Sequence, residues 1–216
     1  MYLPRHFSED RVEVIHRLIE AHPLGTLVTL GPDGPDANHL PFEISPEPAP
    51  FGTLRGHVAR GNPVWRTAVS GAPALVVFHG PAAYVSPSLY PSKREDPRVV
   101  PTWNYVVVHA RGALRAVEEP EWLRALVERL TRRHEAPHRE PWKVTDAPEE
   151  FVAGMLRGIV GLELPIAQLL GKWKLSQNRS PVDRRAVEDG LRREGGEAGA
   201  ALAAWMRDSM SGRESP

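Results

Sequence analysis

Apolar positions near the start of the chain switch from a period of about four to a period of two. Val12, Ile15 and Ile19, joined by Val14 and Leu18, form one helical stripe. Ser8 stands before it as an N-cap, with Glu9 and Asp10 favouring the positive helix end, and Pro23 closes it. Leu24–Leu30 reads as a strand, and the turn Gly31-Pro32-Asp33-Gly34 returns the chain into a second strand over Ala37–Ile44. After the proline-rich loop Ser45–Pro50, a partly β-branched run starts at Phe51 and is expected to break at Gly56. His57, Arg60 and Gly61-Asn62-Pro63 follow, and then a short helix over Trp65–Val69. Ala74–His79 and Ala83–Ser86 read as strands joined by a Gly80-Pro81 turn. Pro87–Arg98 is a polar loop, and Val99–Val117 is extended, with Asn104 and Gly112 marking a bulge or bend.

From Pro120 the period returns to that of a helix, with Leu123, Leu126, Val127 and Leu130 on one face. A second helix is expected near Glu149–Arg157, then strands over Ile159–Leu164 and Leu169–Leu175. Two helical patterns split by Gly195-Gly196 end the chain. Many short strands with short connections predict a mainly β fold with helices (α+β), an antiparallel barrel rather than a βαβ architecture. The expected organisation is one domain, residues 1–180, with residues 181–216 as its helical C-terminal extension.

Composition narrows the chemistry. In 216 residues, 27 Lys+Arg balance 27 Asp+Glu, which argues against a whole-molecule grip on nucleic acid. Zero cysteines remove disulfides, thiolate metal sites and cysteine nucleophiles together. With no apolar signal-like run, the reading is a cytoplasmic protein with no membrane partner. No G-x-S-x-G, H-E-x-x-H, Walker or G-x-G-x-x-G motif occurs. His134 and His138 flank Pro137, which breaks the helical face a metal pair needs, so no metal site is expected.

Three polar-aromatic groups remain. In GHVARGNPVW, a strand end beside a helix start with Arg60 has the parts of an anion cradle, the alternative being a tight turn with an exposed arginine. VPTWNY (Val100–Tyr105) crowds Thr102, Trp103, Asn104 and Tyr105 onto one strand, either as ring contacts or as core residues. KWKLSQNR (Lys172–Arg179) sets two lysines and an arginine at a strand end, either as ligand contacts or as a solvated basic edge.

Taken with MYLPRHF at the start and GPAAYVSPSLY (Gly80–Tyr90), these motifs resemble the PaiB-type FMN-binding negative transcriptional regulators from Met1 to about Leu191. The resemblance implies a split antiparallel β-barrel of the pyridoxamine-phosphate-oxidase-like kind, a homodimer, and FMN as cofactor. It implies that Gly56, His57, Arg60 and Asn62 lie at the flavin phosphate and that His39 flanks the isoalloxazine. Thr102, Trp103 and Asn104 would line the ring or ribityl chain, and Lys174 and Gln177 would occupy the late strand that in related barrels reaches across toward the second subunit's cofactor. Ala59 departs from the Ser/Thr that many such barrels place beside the phosphate-binding arginine, which leaves Arg60 and backbone N–H groups to hold the phosphate. DNA is a partner by resemblance only. Gly171–Arg193 holds seven Lys/Arg against three Asp/Glu, but the Gly195-Gly196 pattern fits a helical hairpin better than a helix-turn-helix. Two alternatives stay open: an FMN-dependent oxidoreductase, with His57 and Tyr105 as candidate proton donors, and a haem-binding or haem-degrading relative.

Overall fold

The computed structural model describes residues 1–31, 33–68 and 71–211; Pro32, in the first expected hairpin turn, and Val69, at the end of the expected short helix, lie outside the described residues. The order of elements is β1 (Ser8–Glu9), α1 (Val12–Ala21), β2 (Leu24–Gly31), β3 (Gly34–Pro41), β4 (Glu43–Ser45), β5 (Thr53–Ala59), α2 (Val64–Ala68), β6 (Pro73–Val85), β7 (Thr102–Ala113), β8 (Arg115–Val117), α3 (Pro120–Glu135), α4 (Glu149–Arg157), β9 (Ile159–Lys174), α5 (Pro181–Glu194) and α6 (Gly196–Ser211). The sheet runs β3-β2-β6-β7-β9-β5-β4, with β1 and β8 also paired to β9, and the registered ladders are antiparallel. This is an α+β fold on an antiparallel sheet.

The chain divides into two compact units. One comprises residues 12–78 and 109–169. In it β2 pairs along its length with β3 (Leu27↔Asn38), and β5 pairs with β9 (His57↔Gly161). Its core holds Leu27, Phe42, Leu54, Val76, Phe78, Leu162 and Leu164, all essentially unexposed, and Phe42 meets Phe78 edge-on. Outside the sheet, Leu123 of α3 packs with Val144, Val152 and Leu156, and Trp122 fills the space over Gly161. The other unit comprises residues 1–11, 79–108 and 170–216. Here α5 and α6 fold back on each other, tied by Arg184 to Ser209 at 2.6 Å and Arg207 to Glu188 at 2.7 Å. The hairpin turns at Gly196, φ 61°, where only glycine is unstrained.

Several expected boundaries move. Ser8 does not cap α1; it pairs with Lys172 as part of β1, and the helix starts at Val12. The strand from Thr53 does not break at Gly56 but runs on to Ala59, because seven consecutive residues find partners on β9. Gly80-Pro81 is not a turn. Buried positions fall at 74, 76 and 78 and then at 83 and 85, so the alternation slips by one residue while the strand continues. The two late strands are likewise one, β9, and Ala37–Ile44 is two, β3 and β4, parted at the buried Phe42.

Candidate cofactor-binding site

VPTWNY opens β7 and KWK closes β9, so residues two apart share a face of the sheet. On one face Asn104 and Trp173 are buried beneath α6. Asn104 Nδ2 donates to Ser176 Oγ at 2.9 Å, and Trp173 meets Trp205 edge-on with centroids 5.9 Å apart. The alternate positions put Trp103 and Tyr105 of β7, and Lys172 and Lys174 of β9, on the other face. Trp103 is 57 % exposed and stands edge-to-face with Tyr84, which is 51 % exposed, at 6.1 Å. Two large aromatic side chains left in water side by side are a surface in want of a flat partner.

Lysines edge this surface. Lys174 Nζ donates to the Trp103 carbonyl at 2.6 Å and to Thr102 Oγ1. Lys172 Nζ donates to the Tyr2 carbonyl at 3.1 Å and lies 5.3 Å from the centre of the Tyr105 ring. Arg179 stacks on Tyr90, whose buried hydroxyl has no partner. Burial lowers the pKa of Lys174, and repulsion from Lys172 and Arg179 lowers it further. Among the described residues no carboxylate forms an ion pair with these three cations. The carboxylate that acts on Arg179, Asp183, is itself buried; burial raises its pKa, but hydrogen bonds from Ser92 and Ser180 outweigh that and hold it low.

The turn between β9 and α5 is held by its own side chains. Ser176 sits at φ 62°, left-handed backbone that is costly for a non-glycine residue. Gln177 fixes it, accepting from Leu175 N at 2.7 Å and donating to the Trp173 carbonyl. Gln177 therefore spends its amide on the turn.

The expected phosphate residues lie in the other unit and face different neighbours. Arg60 Nε donates to the Arg157 carbonyl at 2.9 Å, Nη2 to the Ile159 carbonyl at 3.2 Å and Nη1 to Glu118 at 2.6 Å. It borders a cavity of about 460 Å³ whose wall also carries Glu121, Arg124, Glu149 and Arg157. Asn62 donates to Asn38 at 2.7 Å and caps α2 by accepting from Val64 N at 2.9 Å. His39, exposed beside Asn38 on β3, contacts Thr26 Oγ1 at 3.1 Å. A Cβ at Gly56 would lie 3.0 Å from the Pro41 carbonyl, so this glycine serves the close packing of β5 on residues 40–42. His57 is half-buried, its Nδ1 has no partner, and burial lowers its pKa. A second cavity, about 570 Å³, is lined largely by apolar residues such as Val28, Leu30 and Leu75 and holds none of these side chains.

A flavin has a planar ring with hydrogen-bonding edges, a polyol chain and a phosphate. The ring fits the Tyr84–Trp103 face: it finds aromatic surface and the Lys174 ammonium, whose three N–H donors meet two acceptors, Thr102 Oγ1 and the Trp103 carbonyl. Lys172 and Arg179 belong to the KWKLSQNR group the sequence already singled out; that Tyr84 stands beside Trp103 does not follow from the sequence. The signal for Tyr84 was its place two residues before Ser86, in the exposed phase of its strand.

The antiparallel α+β sheet, with its ladders and added helices, is that of a split-barrel protein. A family model described as "Putative FMN-binding domain" matches residues 1–168. The chain is 33 % identical over 213 residues to the Protease synthase and sporulation protein PAI 2 of Bacillus subtilis, covering 97 % of this chain and 98 % of that one. It is 32 % identical to an uncharacterized protein of Emericella nidulans, covering 96 % and 97 %. In fold it is similar to the FAD and heme binding protein from Mycobacterium smegmatis (TM-score 0.56, 17 % identity, 83 % of this chain and 78 % of that one) and to a conserved hypothetical protein from Mycobacterium tuberculosis (TM-score 0.57, 15 % identity, 84 % and 94 %). The chain belongs to the FMN-binding domain family.

Proposed function

We propose that this protein is a PaiB-type, FMN-binding negative regulator of transcription that works as a homodimer, and that its β7–β9 face holds the flavin ring. The observation that carries the ring assignment is the convergence of the two motifs specific to the resemblance. Lys174 is bonded to both Thr102 and Trp103, and Asn104 to Ser176, so VPTWNY and KLSQNR form one structure. Regulation is supported by the resemblance and by the similarity to a protein named for sporulation.

Footprinting at physiological salt on DNA flanking its own gene tests repression. A bounded protected segment that survives added salt supports it; uniform binding that salt abolishes contradicts it.

Independently of the ring placement, the resemblance assigns the flavin phosphate to Arg60. Its pair with Glu118 is about half exposed, 40 % and 54 %, and exposed pairs are worth roughly 0–1 kcal/mol. A phosphate dianion, with charge-assisted bonds of roughly 1.5–3 kcal/mol each, displaces Glu118 on those terms. Arg60→Ala is expected to weaken FMN about ten- to a hundred-fold while leaving riboflavin, which lacks the phosphate, unchanged. Equal losses for both ligands in equilibrium dialysis would refute the phosphate role.

A further inference from the structure

Three cations stand on or beside one sheet face, and among the described residues none of them forms an ion pair with a carboxylate. Lys172 and Lys174 project from the same side of β9, and Arg179 follows at the turn, close enough to repel Lys174. Lys172 is 8 % exposed, and desolvated charge is screened less by solvent than surface charge is. Its ammonium lies between the Tyr2 and Tyr105 rings, which polarise toward it without cancelling it. Asp183, held ionised by hydrogen bonds from Ser92, offsets part of the Arg179 charge, whereas among the described residues no carboxylate pairs with Lys172 or Lys174. The face thus carries a standing positive field next to an exposed aromatic pair.

An oxidised flavin ring is neutral. Taking two electrons and one proton turns it into an anion whose charge sits along one edge of the ring, and a nearby cation binds that form more tightly than the oxidised one. We propose that the Lys172–Lys174–Arg179 cluster, set beside the Tyr84–Trp103 pair, binds the reduced anionic flavin more tightly than the oxidised flavin and so raises the reduction potential of the bound cofactor. This rests on the ring placement proposed above. It makes the redox state of the flavin a variable the protein reads: reduced flavin is retained where oxidised flavin dissociates. The electrons come from an external reductant, sodium dithionite in the test.

The experiment measures the midpoint potential of FMN bound to the full-length protein by dithionite titration against a reference dye, with oxidised-FMN affinity measured in parallel. The wild-type protein is expected to favour reduced over oxidised FMN by at least tenfold, which is about 30 mV above free FMN for a two-electron couple. Lys174→Met and Arg179→Gln are each expected to lose most of that preference, whereas Lys174→Arg keeps it. A wild-type potential equal to or below that of free FMN overturns the inference. An unchanged potential in Lys174→Met with weakened FMN binding also overturns it while leaving the ring placement standing. Wild-type affinity for FMN in both Lys174→Met and Trp103→Ala overturns the ring placement itself, and the inference with it.

Discussion

Ser176 carries a Cβ at φ 62° and accepts the Asn104 amide with its hydroxyl, so one residue joins backbone strain to a buried polar contact. The left-handed conformation costs a non-glycine residue roughly 1–2 kcal/mol, and an orphaned buried amide costs about 1–3 kcal/mol. Ser176→Ala keeps the strain and loses the bond; Ser176→Gly loses the bond but relieves the strain. Denaturant unfolding is therefore expected to rank wild type above Gly and Gly above Ala, and an Ala variant as stable as wild type would remove the role given to this contact. His57 supplies a pH test. Burial lowers its pKa from 6.5, as it does for His22, so both are neutral in the folded state where the unfolded chain already takes a proton. Their contribution is fully present above about pH 6.5 and is lost as pH falls toward the folded values. His57→Gln is expected to flatten the loss of stability between about pH 7 and about pH 5; a slope identical to wild type would contradict it. Residue types in KLSQNR were legible as polar contacts, but the division of labour was not. Gln177 turns inward to the backbone and Lys174 reaches across to β7, a choice made by a strained turn that composition does not announce.

Elements were legible where one face is buried and one is wet. The stripe of α1 and the leucines of α3 fall where the period places them. Long strands were not: β6 and β9 each read as two, because Gly80-Pro81 and the Pro165 region look like punctuation when the neighbouring strands that hold them extended are unknown. Glycines record those neighbours. A Cβ at Gly112 of β7 would lie 2.1 Å from the Pro165 carbonyl of β9, and one at Gly161 would lie 2.3 Å from the Trp122 ring of α3. Backbone cannot retreat as a side chain can, so Gly112→Ala is expected to cost more than Gly161→Ala, with the latter near the usual overpacking range of about 1–3 kcal/mol. Thermal unfolding of both variants checks the order, and the reverse ranking would mean that α3 is held more rigidly on the sheet than β7 is on β9.

At the scale of the whole molecule, the fold and the flavin family were legible because the motifs are spaced along most of the chain, and the structure brings two of them into contact. Among the described residues no helix is long and apolar enough to cross a membrane. The proposed homodimer predicts a mass near twice 24.0 kDa by light scattering; a monomer at working concentration would contradict it. The most direct test of the central claim is a titration of the protein with FMN and with riboflavin, read by flavin fluorescence and tryptophan quenching. The account predicts one saturable site per chain, strong quenching that Trp103→Phe removes, and at least tenfold weaker binding of both ligands by Lys174→Met. Binding of both ligands with wild-type affinity in Lys174→Met, with quenching intact in Trp103→Phe, would show that the β7–β9 face does not hold the flavin.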